Sequence, residues 1–222
     1  MSIKDNLETV KKNIESACKR VGRNPEDITI IGVTKYVSTE RADELLDAGV
    51  IDIGENRTEE FVQKYEKLGE RANWHFIGTL QSRKVRDIIG KVTMIHSLER
   101  ASVAKQINNR SEEVIPCFIQ VNVSGEDSKH GLEETDLLPF IEQLAAYEKV
   151  KIVGLMTMAP HVENEDELRA VFKRLAKLRD DIKAKQIPHA PCEFLSMGMS
   201  NDYEIAIEEG ATHIRIGSVL VG

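Results

Sequence analysis

The stretch ITIIGVTKYVSTERADELLDAGVIDIGEN, residues 28–56, sets the pattern of the whole chain. An apolar run over 28–37 lacks strict polar alternation, as strands do when both faces are covered. A helical periodicity over 39–48 follows, closes at Gly49, and yields to a second apolar run at 50–54. The unit then recurs. Apolar runs fall at 74–80, 92–98, 114–123, 150–158, 192–197 and 212–221, and helical stretches at 58–71, 82–89, 100–109, 135–147, 166–185 and 201–209. The stretch 166–185 is the clearest: Leu168, Val171, Leu175, Leu178 and Ile182 step by three and four, behind Asn164 and Glu167 in capping-box spacing. Eight strands with seven intervening helices is the (β/α)8 pattern short of its last helix. The expectation is therefore an α/β TIM barrel, a single domain over 1–222 with no final helix. An extra N-terminal helix over 5–21, with Leu7, Val10, Ile14, Cys18 and Val21 on one face, is expected to cover the vacant position. An open doubly wound sheet is the runner-up, although eight strands in 222 residues is dense for it.

Composition narrows the class of protein. The chain is 41% hydrophobic, 30% charged and 5% aromatic, with a net charge of −7, which gives no electrostatic pull toward nucleic acid or an anionic membrane. It opens on no apolar signal region, and no apolar run approaches the ~20 residues that span a bilayer. Three cysteines, odd in number and far apart, and six histidines without a ligand-spaced pair argue for a reducing cytoplasm and against a disulfide framework or a metal site.

In such a barrel the chemistry sits at the C-terminal ends of the strands, and those ends carry the unexpected polar residues. Strand one ends Thr-Lys-Tyr with Lys35, strand two ends Gly54-Glu55-Asn56, strand three carries His75, and strand eight holds Arg215 between two isoleucines. Ser196–Ser200 is a small-residue loop that opens onto a helix, and with Gly217 and Ser218 it has the makings of an anion cup at strands seven and eight. Plainer readings stand beside these. Ser200 or Asn201 would serve as a helix cap, Lys35 as a rim lysine reaching water, and Arg215 as the partner of a carboxylate or strand-end carbonyl. A lysine held in a low-dielectric mouth would be a nucleophile toward aldehydes. Lysine, anion cup and internal arginine together fit one ligand, pyridoxal 5′-phosphate (PLP), with its aldehyde on Lys35, its phosphate in the cup and its ring nitrogen on Arg215.

The segments ValThrLysTyr (33–36), GlyGluAsn (54–56), TrpHisPheIleGlyThrLeuGln (74–81), GlnValAsnVal (120–123), GlyLeuMetThrMet (154–158), SerMetGlyMetSer (196–200) and ThrHisIleArgIleGly (212–217) resemble, in order and over nearly the whole chain, the pyridoxal phosphate homeostasis protein family. The barrel of that family is similar to the N-terminal domain of alanine racemase, a fold-type III PLP protein. The resemblance implies that Lys35 is the Schiff-base lysine, that Ser200, Gly217 and Ser218 hold the phosphate, that Arg215 faces the ring nitrogen, and that Asn56, His75 and Met197 line the pocket. Arg83 stands where the family often has Asn, and the chain ends earlier than many relatives.

Three functions follow from a lysine at that rim. The first is a carrier or regulator of PLP with little turnover, serving PLP-dependent apoenzymes as a monomer. The second is a fold-type III amino-acid racemase, which needs a second base opposite Lys35. Alternation along strand one sends Tyr36 to the opposite face, Tyr65 and Tyr147 read as outer-helix residues, and Tyr203 is the remaining candidate. An arginine facing the ring nitrogen also weakens the ring as an electron sink. The third is a lysine aldolase without a cofactor. His96, His161, His189 and His213 read as structural, rim or loop residues, and the polar loop 124–134 as a lid.

Overall fold

The computed structural model describes residues 2–125, 130–160, 162 and 164–222. Helix α1 (Ile3–Val21) comes first and is closed at both ends by its own sequence. Ser2 and Asp5 form a reciprocal capping box, and Gly22 turns left-handed at the C-terminus. Eight parallel strands follow in order and close on themselves: β1 (Thr29–Val33), β2 (Asp52–Glu55), β3 (Asn73–Phe76), β4 (Met94–Leu98), β5 (Ile115–Gln120), β6 (Val150–Met156), β7 (Phe194–Met199) and β8 (His213–Ile216). Closure is the β1–β8 pairing, from Thr29 against His213 to Gly32 against Ile216. Helices α2 (Thr39–Asp47), α3 (Thr58–Leu68), α4 (Val85–Ile88), α5 (Ala101–Arg110), α6 (Glu134–Leu144), α7 (Glu165–Lys183) and α8 (Tyr203–Glu208) separate the strands. The expected α/β barrel is therefore the observed one. Asn164 caps α7 by accepting from the N–H groups of Asp166 and Glu167, and Leu168, Leu175 and Ile182 of the expected stripe are buried.

After β8 the chain makes a single helical turn, α9 (Ser218–Val221), in place of a full outer helix. Helix α1 packs against both α8 and α9, which puts its buried face of Leu7, Val10, Ile14 and Cys18 over the gap beside β8. Asn6 Nδ2 donates to the Leu220 carbonyl at 3.1 Å, tying the two ends of the chain together.

Alternation along the strands divides the core in two. Outward residues such as Ile53, Trp74, Phe76, Ile95, Leu195, Met197, Ile214 and Ile216 join the helices in one large apolar layer. The interior holds a smaller apolar cluster of Phe118, Val153 and Met156, with Met94 against it. Ile31 and Val33 of β1 also face inward, beside a set of buried polar side chains: His75, His96, His213, Ser196 and Arg215. The expected lid over 124–134 includes 126–129, and the expected loop histidine is His161; both lie outside the described residues. Leu132, beyond that gap, is tied back to β5 through the Gln120 carbonyl and the Asn122 N–H.

Candidate functional site

A cleft of about 690 Å³ opens at the C-terminal ends of the strands, and six of the eight expected site residues line it: Lys35, Asn56, Ser200, Arg215, Gly217 and Ser218. The other two do not. Met197 lies one residue past the inward-facing Ser196, so it points outward into the helical layer. His75 does face inward, but lower in the barrel, where its Nε2 lies 2.9 Å from Asp52 Oδ1.

Lys35 stands differently from its expectation. Strand β1 ends at Val33, and residues 34–37 form a turn closed by the Val37 N–H on the Thr34 carbonyl at 3.2 Å. Tyr36 takes a left-handed φ of 67° in that turn. Alternation therefore stops before it applies, and Tyr36 lands beside Lys35, 69% exposed, with the lysine Nζ 5.7 Å from its ring centre. Lys35 is itself exposed at the rim and not enclosed in a low-dielectric mouth. Ser38, which caps α2 by accepting from the Arg41 N–H, is the local signal that residues 34–37 had to turn.

A buried ion pair holds that turn from below. Lys64 Nζ of α3 donates to the Thr34 carbonyl at 2.7 Å and to Glu55 Oε1 at 2.6 Å, and the Thr34 hydroxyl donates to the same carboxylate. Burial pushes the Glu55 carboxyl above its ordinary range even though Lys64 and Thr34 pull the other way.

Arg215 forms the floor. Nη1 donates to Ser196 Oγ at 2.7 Å and Nη2 to the Thr157 carbonyl at 2.9 Å. Burial lowers its pKa to about 10, which leaves it charged at neutral pH. At the far wall the Gly217 N–H donates to Ser200 Oγ at 3.2 Å, joining the ends of β7 and β8. Gly198, at φ 94°, makes the elbow into α8, where a Cβ would sit 2.6 Å from Ala206 Cβ. Helices α8 and α9 both begin at this wall, and the first N–H groups of a helix have no acceptor within it. Asn56 is fixed by the close passage of Gly78, where a Cβ would lie 2.1 Å from the Asn56 carbonyl oxygen. Its side-chain Oδ1 is buried with no hydrogen-bond partner. An amine, an unmet acceptor, a fixed guanidinium and two serine hydroxyls around one cleft fit a small ligand with an aldehyde, a polar ring and an anionic tail.

His213, His96 and His189 do not line the cleft. His213 stacks edge-on against Phe118 and Phe194, and burial lowers its pKa to about 4. His96 is fully buried and held neutral, and His189 bonds the Ile141 carbonyl at 2.8 Å. Tyr203, the expected second-base candidate, bonds Asn13 Nδ2 at 2.8 Å on the α1 side and is not part of the cleft lining.

Comparison with known proteins agrees with this geometry. The alanine racemase N-terminal domain family matches residues 6–222. The pyridoxal phosphate homeostasis protein of Aquifex aeolicus is 41% identical over 229 residues, covering 100% of this chain and 98% of that protein. PipY of Synechococcus elongatus PCC7942, solved with PLP bound, superposes with a TM-score of 0.87 at 28% identity over 100% of both chains. An alanine racemase of Clostridium difficile 630 superposes with a TM-score of 0.75 at 18% identity, over 98% of this chain and 56% of its own, a likeness of fold alone.

Proposed function

The chain belongs to the pyridoxal phosphate homeostasis proteins, within the alanine racemase N-terminal domain family, and from that premise we propose that it holds PLP through Lys35 and acts as a carrier or regulator of the cofactor, with no appreciable turnover. The observation that carries this reading is the convergence of Lys35, Asn56, Arg215, Ser200, Gly217 and Ser218 on one cleft. When bound, PLP supplies an aldehyde carbon that condenses reversibly with an amine, with loss of water, and a ring that can accept electrons. Lys35 offers that amine from an exposed position. Ser200 Oγ, the Gly217 backbone and the Ser218 hydroxyl receive the phosphate, and Asn56 Oδ1 accepts from a ligand donor. Arg215, charged and anchored at two points, donates to the ring nitrogen and keeps it unprotonated. An unprotonated ring draws electrons weakly, which favours holding over amino-acid chemistry.

No helix among the described residues is long and apolar enough to cross a membrane. The free, buried thiols of Cys18, Cys117 and Cys192 fit the reducing cytoplasm, where PLP-dependent apoenzymes are the recipients in this reading. A single domain working as a monomer completes the proposal.

One observation favours a second reading. Tyr36 borders the cleft beside Lys35, so a racemase would draw its second acid or base from there. One experiment separates the readings. PLP-loaded wild type should be yellow and bleach with borohydride, Lys35→Ala should stay colourless, and neither should interconvert D- and L-amino acids. Lys35-dependent and Tyr36-dependent interconversion would replace the carrier with the racemase, and a colourless wild type would remove the ligand.

A further inference from the structure

Beneath Arg215 the barrel holds an unbroken file of polar side chains that ligand holding does not itself require. Ser196 Oγ accepts from Arg215 at 2.7 Å and lies 2.8 Å from His96 Nδ1. His96 Nε2 lies 2.9 Å from His75 Nδ1, and His75 Nε2 lies 2.9 Å from Asp52 Oδ1. Every member but the last is buried, and the Asp52 side chain, 22% exposed, reaches water at the N-terminal end of β2. The file thus runs from the cleft to the opposite end of the barrel.

With one proton on each imidazole, its two ends set the direction of every bond between them. A guanidinium has only donors and an ionised carboxylate only acceptors. Burial opposes the ionised form of Asp52, but hydrogen bonds from His75 and Asn73 outweigh it and hold its pKa below the ordinary value. With one proton on its ring, His75 gives that proton from Nε2 to Asp52 and accepts at Nδ1. His96, kept neutral first by burial and then by the Arg215 charge, must carry its proton on Nε2 and accept at Nδ1 from the Ser196 hydroxyl. All four hydrogen bonds then point away from the cleft, an alignment in which each bond strengthens the next.

We propose that Ser196, His96, His75 and Asp52 are positioning residues for Arg215, a one-way hydrogen-bond relay that fixes the guanidinium at the floor of the cleft and lets the charge on Asp52 set how strongly Arg215 would donate to a ligand there. This rests on the PLP reading above. The charged and titratable groups facing His75 are Asp52 from β2, His96 from β4 and His213 from β8, with Arg215 of β8 acting on His96 and His213. Among these Asp52 is the one acceptor-only group, so it alone sets the polarity. A proton added at its end makes His75 Nδ1 a donor, moves the His96 proton to Nδ1, and leaves Ser196 accepting from both sides.

Two measurements test the relay. Nitrogen-15 NMR of the unloaded wild type near neutral pH should show both His75 and His96 protonated on Nε2; an Nδ1–H tautomer on either ring overturns the assigned direction. In PLP-loaded protein, Asp52→Asn should displace the midpoint of the visible-band pH profile by about one pH unit, the ordinary size of an environmental shift. Adding Ser196→Ala should abolish that displacement, because it cuts the link to Arg215. Superimposable wild-type and Asp52→Asn profiles, or a displacement that survives Ser196→Ala, overturn the proposal. A wild type that takes no colour from PLP defeats the ligand reading instead, and the tautomers then decide the relay by themselves.

Discussion

At the residue scale, Lys64 governs how Lys35 is offered. Its ammonium is buried against Glu55 and holds the carbonyl of the residue just before Lys35. Removing one partner of a buried pair leaves an uncompensated charge, so Lys64→Met should destabilise the protein by about 3–5 kcal/mol in urea unfolding. Adding Glu55→Leu should recover much of that loss, since an apolar pair of similar volume costs little. The residues that the sequence read poorly are those whose direction depends on a boundary. Lys35 and Arg215 were legible because a cation in an apolar run is conspicuous. Tyr36 was misplaced because β1 stops at Val33, which removes the alternation its placement assumed. Met197 was placed in the pocket by resemblance, while the pleat that turns Ser196 inward turns its neighbour out.

At the scale of elements, α1 does the work of a final barrel helix. Because α8 and α9 both begin at the wall of Ser200, Gly217 and Ser218, the packing of α1 on them steadies that wall. Leu7 is 3% exposed on the buried face of α1, and Leu7→Ala should cost about 2–5 kcal/mol in a urea titration. A loss well under that range would show that α1 lies on the barrel without supporting it. The eight strands and their helices were readable from periodicity alone, and so was α1 as a substitute. The ends of β1 and β8 were not. Both runs stay apolar past the last paired residue, because Val37, Leu220 and Val221 continue to pack although the ladder has ended. Apolar character reports burial, and only backbone pairing defines a strand.

At the scale of the whole molecule, a barrel interior filled partly by neutral histidines makes stability depend on acidity. His213 has a pKa of about 4 when folded, against an ordinary value near 6.5. As pH falls through that interval the unfolded chain takes up the proton first, so stability is complete above about 6.5 and is lost progressively toward about 4. His213 alone accounts for up to about 3 kcal/mol of this, and His96 acts in the same direction. Urea midpoints measured across the interval should fall with acid, and His213→Phe, which keeps a ring between Phe118 and Phe194, should flatten the slope. An unchanged slope would place the acid sensitivity elsewhere. The open setting of Lys35 has a consequence of its own for the proposed carrier. Were PLP held there, a free lysine, hydroxylamine or unprotonated Tris could reach it from bulk water, so its departure would be a swap between amines whose speed climbs with the concentration of the newcomer.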